Sequence, residues 1–413
     1  MARIAFCLPA MRGHLGAHGP LARELARRGH DCVLLGSRTL GTLAAAEGVS
    51  VRVMPWTEPD LGGARLLGTL LRTARATRGV LRHAPALLRE IAPDLVVADQ
   101  AEPGFAMAAR ITGLRFVTLA AGLPIDGDDA VPPPFLSWPY EDSESARRRN
   151  HGGWQVSRAF MVLQRMALSH AARRHGIGNA WREDGWTWQV PELRQLVPGM
   201  DFPRRWPACV TGLGPLRDPG PLPPLPPELA AAPHPLVFVS LGTLSGRRPA
   251  LLHRICEAAD GLAVTLVLAH CNRLTSDEMA RLPGRPILRE MWPQRTVLAH
   301  AAVCITHGGL NTVLDSAAAG VPMLAMPLSF EQPGIAARVA DRGLGLCLPP
   351  SATALQIRTA LQALLDRHRW RDNLSAIMAE LQAAGGVRRG ADLIEAILHD
   401  GMLTGDCAHE AAE

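Results

Sequence analysis

At 413 residues the chain exceeds what one hydrophobic core usually supports, and its 47% apolar and 20% charged residues exclude disorder and fibrous repeats. All 43 basic residues are arginine, which excludes a P-loop lysine and a pyridoxal Schiff-base lysine. The formal charge of +5 is spread along the chain and only 4% of residues are aromatic, so nucleic acid is not an expected partner.

An apolar run from Ile4 to Pro9 predicts a first strand, and after a glycine-containing turn the leucines at 21 and 25 predict a helix over 18–28. "DCVLLG" follows at once, giving a β-α-β start and hence a parallel sheet. The first run is too short and strand-like for a signal peptide, and no stretch approaches 18 uncharged apolar residues. A cytoplasmic protein without leader or membrane span is therefore expected. The eight cysteines are scattered without a C-x-x-C pair and read as reduced core thiols.

"DLVVAD" (94–99) and "RFVTLA" (115–120), separated by the helical "PGFAMAARITG", continue the alternation, so residues 1–212 read as one Rossmann-like domain. The proline-rich 213–235 predicts a stiff linker. Within 236–413 a new alternation runs through "LVFVSLG", "AVTLVLAH", "PILRE", "AVCITHG" and "MLAMP", with helices between them. The fold class is α/β, two Rossmann-like domains with parallel sheets facing a cleft, the last helices being able to pack back on the first domain. Such domains place a ligand at the carboxyl ends of their strands, in the cleft.

Several side chains stand at such strand ends. His307 closes "AVCIT", and Gly308 and Gly309 precede a helix whose free N–H groups suit a phosphate, with Asn311 and Thr312 as side-chain donors. A glycine turn with an asparagine helix cap is the plainer reading of the same residues. Asp99 closes "DLVVAD", where it either caps the next helix or faces the cleft. His14 and His18 have a four-residue spacing that can bind metal, yet the glutamate of H-E-x-x-H is missing and no metal is assigned. "DGDD" (126–129) reads as a solvated turn. The first β-α turn lacks G-x-G-x-x-G, and the second strand ends without an acidic residue, which disfavours a dinucleotide enzyme.

Taken in order, Trp292-Pro-Gln294, His307-Gly-Gly309, Asn311-Thr312, Asp315, Gly-Val-Pro and Glu331-Gln332 resemble the donor signature of the UDP-sugar glycosyltransferases of GT-B fold. The resemblance implies that 1–212 binds the acceptor and 236–413 the nucleotide sugar. It implies that Gln294 and a nearby tryptophan hold uracil, Asp315 the ribose, and Glu331 with Gln332 the sugar. The phosphates would lie against His307, Gly309, Asn311 and Thr312, with Gly242 and Thr243 of "SLGT" opposite. His14 would be the catalytic base and Asp99 the residue that orients it. Two departures stand out: Met291 occupies the family's usual tryptophan place, with Trp292 one residue later, and Asp315 replaces the usual glutamate.

Segments outside the donor signature, such as "VADQAEPGFAMAA" and "LVPGMDFPRRWPACVTGLGPLRDP", resemble the zeaxanthin glucosyltransferases within that family. This implies an inverting, metal-independent transfer of glucose from UDP-glucose, needing no cofactor, to a lipophilic alcohol such as a hydroxylated carotenoid. Another lipophilic natural product, or a UDP-sugar epimerase or binding protein of the same fold, stays open. The stretches 61–92 and 154–176 are ordinary surface helices or basic amphipathic elements that dock peripherally on the inner face of a membrane.

Overall fold

A computed structural model describes residues 1–59, 66–177, 190–233, 235–242 and 248–400. The amino-terminal domain runs β1 (Arg3–Cys7), α1 (Arg12–Arg27), β2 (Asp31–Gly36), α2 (Arg38–Leu43), β3 (Ser50–Val53), α3 (Leu66–Ile91) and β4 (Leu95–Asp99). It continues through α4 (Gly104–Ile111), β5 (Phe116–Ala120), α5 (Glu144–Phe160), α6 (Val162–Arg174), β6 (Glu192–Arg194) and β7 (Val210–Gly212). Its seven strands are parallel, in the order β3-β2-β1-β4-β5-β6-β7. Helices cover both faces, which is why β1, β4 and β5 are apolar runs rather than alternating ones.

After α7 (Pro227–Ala230), the second domain runs β8 (Leu236–Ser240), α8 (Pro249–Ala259), β9 (Thr265–Ala269), α9 (Ser276–Ala280), β10 (Ile287–Arg289), α10 (Gln294–Leu298) and β11 (Ala301–Thr306). It continues with α11 (Leu310–Ala318), β12 (Met323–Ala325), α12 (Gln332–Asp341), β13 (Gly345–Cys347), α13 (Ala354–Leu365), α14 (Arg371–Ala383) and α15 (Gly386–Asp400). Its six-stranded parallel sheet has the order β10-β9-β8-β11-β12-β13. In both sheets the order reverses beside the first strand of the domain, at β1/β4 and β8/β11, which opens a crevice there.

Three placements differ from the sequence reading. Helix α1 begins at Arg12 rather than near 18, and continues through Pro20, so His14 lies in its first turn. Within the stretch 61–92, Leu66–Ile91 form one long helix running through Pro85, rather than separate surface helices. In "DGDD", Asp126 is buried instead of solvated, because Arg194 at 2.9 Å and Arg204 at 3.4 Å compensate its charge.

The domains are bound to each other in four ways. Leu123, Leu196, Val197 and Met200 of the first pack into the core of the second. Arg338 of α12 pairs with the buried Asp201 at 2.8 Å. The proline-rich segment lies against both domains, Leu213 and Leu216 in one core and Leu229 in the other. Finally, α15 returns to the first domain, where Val387, Ala391, Ile394 and Ile397 join the cluster around α1.

Candidate active site

At the crevice of the first sheet, β4 ends on Asp99 and α1 presents His14 and His18 one helical turn apart. His14 Nδ1 is 2.6 Å and His18 Nε2 2.9 Å from the same Asp99 atom, Oδ2, while Oδ1 accepts from the Ala101 N–H at 2.8 Å. Asp99 is buried, which alone would raise its pKa, but the charge of His14 and the hydrogen bonds from both imidazoles hold the carboxyl far below the ordinary range. An ionised carboxylate only accepts, so each histidine donates from the nitrogen facing it. His14 then offers an unprotonated Nε2, and it is the only one of the three side chains with solvent exposure.

Burial alone would lower the His14 pKa. The charge and hydrogen bond of Asp99, with the charges of Glu331 and Glu58, outweigh it and hold the pKa above 6.5. That combination suits a base that takes a proton and keeps it as an imidazolium beside a carboxylate. His18 is fully buried, edge-on to Phe6, and its Nδ1 has no partner. The sequence reading missed it as a partner of Asp99; its signal was the four-residue spacing from His14.

The facing wall is built on α11. Its first intrahelical bond runs from Val313 N–H to the Gly309 carbonyl at 3.1 Å, leaving the N–H groups of Leu310, Asn311 and Thr312 without intrahelical acceptors. Gln294 donates to Asp315 Oδ2 at 2.8 Å and accepts from Thr312 Oγ1 at 3.2 Å, tying three of the proposed donor residues together. Asn311 Nδ2 donates to the Gly13 carbonyl at 2.7 Å, so this wall touches the first turn of α1, next to His14. Cβ atoms at Gly13 and Gly16 would stand 3.7 and 3.5 Å from Asn311 Nδ2, ordinary contact distances, so both positions line the same contact with α11.

His307 stands between Gly242, whose φ is +74°, and Gly309; a Cβ on either would come within 2.5 or 2.6 Å of its Nε2. Burial pushes its pKa down to about 4, so it is a neutral ring near pH 7 and adds no positive charge to an anion site. Glu331 reaches the first domain near Gly122. Gln332 is buried and accepts from the Leu328 and Ser329 N–H groups, both at 2.9 Å, so in this structure its carbonyl end shapes the preceding loop. Trp292 is placed in the core rather than in the cleft, donating to the Leu268 carbonyl at 3.1 Å with Arg289 over its ring. Thr243 lies outside the described residues.

A cation at this wall was not legible beforehand. Arg217, from the proline-rich segment, donates to Asp315 Oδ1 at 2.8 Å, to Asn311 Oδ1 at 3.1 Å and to Gln195 Oε1 at 3.0 Å. Gln195 follows β6 and also donates to Asn311 Oδ1 at 2.9 Å. The only hint in the sequence was a lone cation in "GPLRDPGP".

Two parallel-sheet domains with a buried histidine–carboxylate pair on one wall of the crevice between them and a helix start on the other match the GT-B architecture. Solved structures agree: the calicheamicin glycosyltransferase CalG4 superposes with a TM-score of 0.76 at 24% identity, covering 97% of this chain and 99% of that one. The glycotransferase of kitacinnamycin gives 0.75 at 22%, covering 95% and 98%. The family model described as "UDP-glucoronosyl and UDP-glucosyl transferase" matches residues 193–381. Over almost the whole chain the protein is 31% identical to the zeaxanthin glucosyltransferase of Pantoea ananas, covering 97% of each. To that of Pseudescherichia vulneris it is 32% identical, covering 96% of this chain and 98% of the relative. The chain belongs to the UDP-glucoronosyl and UDP-glucosyl transferase family and is a UDP-glycosyltransferase, taking a nucleotide-sugar donor and an acceptor. No helix among the described residues is long and apolar enough to cross a membrane.

Proposed function

We propose that the enzyme transfers glucose from UDP-glucose, with inversion, to a hydroxyl of a lipophilic acceptor, a hydroxylated carotenoid such as zeaxanthin. The observation that carries this reading is the 31–32% identity to two zeaxanthin glucosyltransferases, in alignments that span both domains. In the reaction, His14 Nε2 takes the proton of the acceptor hydroxyl as that oxygen bonds to the anomeric carbon. The bond from this carbon to the β-phosphate oxygen breaks, and UDP leaves with the electron pair. Asp99 stabilises the imidazolium and fixes its tautomer, while His18 holds Asp99 from the other side.

The leaving diphosphate is met by the start of α11, by Asn311 and Thr312, and by the cationic Arg217 in place of any lysine. His307 contributes shape rather than charge. Asp315 and Gln294 address the nucleoside, and Glu331 with Gln332 the sugar. No metal or cofactor is assigned a role. An acceptor of this kind dissolves in lipid, so the enzyme would work peripherally at a membrane. Incubating purified protein with a panel of nucleotide sugars and zeaxanthin in detergent, followed by mass and anomeric proton analysis, tests the proposal. A β-glucoside formed from UDP-glucose supports it; turnover only with another sugar, or only with macrolide, terpenoid or sterol alcohols, overturns the substrate assignment. Donor turnover without any alcohol would point to an epimerase.

A further inference from the structure

The exposed faces of α3 and α6 share one pattern. On α3, Leu71, Arg75, Arg78 and Arg82 are exposed and recur at helical spacing, so they form a single stripe. On α6, Val162, Met166, His170 and Arg173 do the same. Each stripe is apolar at the helix start and basic beyond it. The two helices are joined side by side where Gln164 donates to Thr77 Oγ1 at 2.9 Å.

Thr77 of α3 donates to Glu102, just past the end of β4, at 2.8 Å and accepts from Gln164, in the first turn of α6, so the start of α6 and the part of α3 around Thr77 lie at the carboxyl edge of the sheet. That is the edge carrying Asp99 and His14. Val156 and Phe160, one turn apart near the end of α5, add to the apolar end, and Met166 and Leu71 are 59% and 53% exposed. Side chains this apolar and this open, gathered at one edge, mark a contact surface. Its charge is equally one-sided: no acidic residue occurs in 66–89 or in 145–177.

We propose that this surface docks on an anionic lipid bilayer, with Leu71, Phe160, Val162 and Met166 entering the headgroup boundary and the arginines of α3 beside them facing lipid phosphates. The docked edge then lies at the base pair His14–Asp99, so an acceptor leaving the bilayer would enter where its hydroxyl is needed. The delivery role rests on the lipophilic-acceptor reading; the docking itself does not.

Full-length protein is tested by sedimentation with phosphatidylcholine vesicles containing about one third phosphatidylglycerol, and with pure phosphatidylcholine vesicles, with neither donor nor acceptor present. The wild type is expected to bind the anionic vesicles at least tenfold more tightly and to be released by high salt. Replacing the three arginines (Arg75→Gln, Arg78→Gln, Arg82→Gln) should weaken binding by roughly a hundredfold, since each arginine at such a surface gives about a fivefold gain. Phe160→Gln with Met166→Gln should weaken it roughly tenfold or more. Unchanged UDP affinity by calorimetry shows that the variants are folded. Equal binding to both vesicle types, or variants that bind like the wild type, overturns the proposal. So does a wild type that self-associates through this face, with the variants losing self-association rather than vesicle binding. Because no acceptor is present, vesicle binding without carotenoid turnover would reject the acceptor assignment and leave the docking surface standing.

Discussion

Arg217 and Asp315 form an ion pair of 2.8 Å at the meeting point of the two domains, with the carboxylate 7% and the guanidinium 14% exposed. The cation therefore offsets the charge of a buried carboxylate on α11, close to the helix start proposed to meet the diphosphate. Arg217→Met should weaken UDP binding by roughly 1.5–3 kcal/mol, the scale of hydrogen bonds to charged groups, and uridine binding far less. Calorimetry with the two ligands checks this, and tighter UDP binding in the variant would mean that Arg217 competes with the donor instead.

His14→Ala should lower turnover by about two to four orders of magnitude while leaving UDP affinity nearly unchanged. Near-normal turnover in a folded variant would remove His14 from the role of base.

The pH profile follows from the same residue. Only unprotonated His14 accepts a proton, and its pKa is held above 6.5, so kcat/KM should rise with pH through a midpoint above that value. Asp99→Asn removes the largest influence that raises this pKa and leaves the burial that lowers it. Its acid limb should therefore move to lower pH even as the plateau falls about a hundredfold or more. An unmoved limb would show that another group titrates.

Glu102 is buried, accepting from Thr77 Oγ1 at 2.8 Å and the Gly104 N–H at 3.0 Å, and burial pushes its carboxyl up to about 8 from an ordinary 4.5. Between those values the folded state binds the proton more tightly than the unfolded state, so this residue's contribution to stability declines as pH rises from 4.5 to 8. Glu102→Gln keeps the accepting oxygen and cannot ionise. Its melting temperature relative to wild type should be higher at pH 8 than at pH 5, by a few degrees; a pH-independent difference would refute the burial argument.

Thr312→Ala should weaken UDP binding by roughly 1.5–3 kcal/mol with little loss for uridine, if the start of α11 holds the diphosphate. EDTA should leave both binding and turnover intact. Equal losses for both ligands would move Thr312 to the nucleoside, and turnover abolished by chelator would mean that the metal-free account is wrong.

How far the sequence reaches depends on how local the cause is. Strands β1, β4, β5, β8 and β11 are buried on both faces, so their apolar runs betray them. The edge strand β3, "SVRV", is largely exposed, and the three-residue β6, β7 and β13 lack the unbroken apolar run that marks the equally short β12. The start of α1 was obscured because Gly13, Gly16, Gly19 and Pro20 read as a turn; the Gly13 carbonyl is in fact held by Asn311, nearly 300 positions away. In the candidate site, Asp99 stood out by its place at a strand end, and His14 was named only through the family resemblance; the structure brings the two to 2.6 Å. Arg217 and Gln195 were not, since what gives them meaning is a contact with α11 across the domain boundary. Trp292 shows the converse: an aromatic beside a motif can belong to the core.

The return of α15 to the first domain bears on how such enzymes can be recombined. The segment from Val387 to Ile397 completes the apolar cover of α1, although it lies at the far end of the chain from it. A hybrid made by joining two relatives at the proline-rich segment would graft one parent's last helix onto the other parent's first domain, mismatching that packing. Exchanging acceptor specificity therefore calls for two crossover points, the second near Gly385, so that residues 386–400 travel with the first domain whose surface they complete.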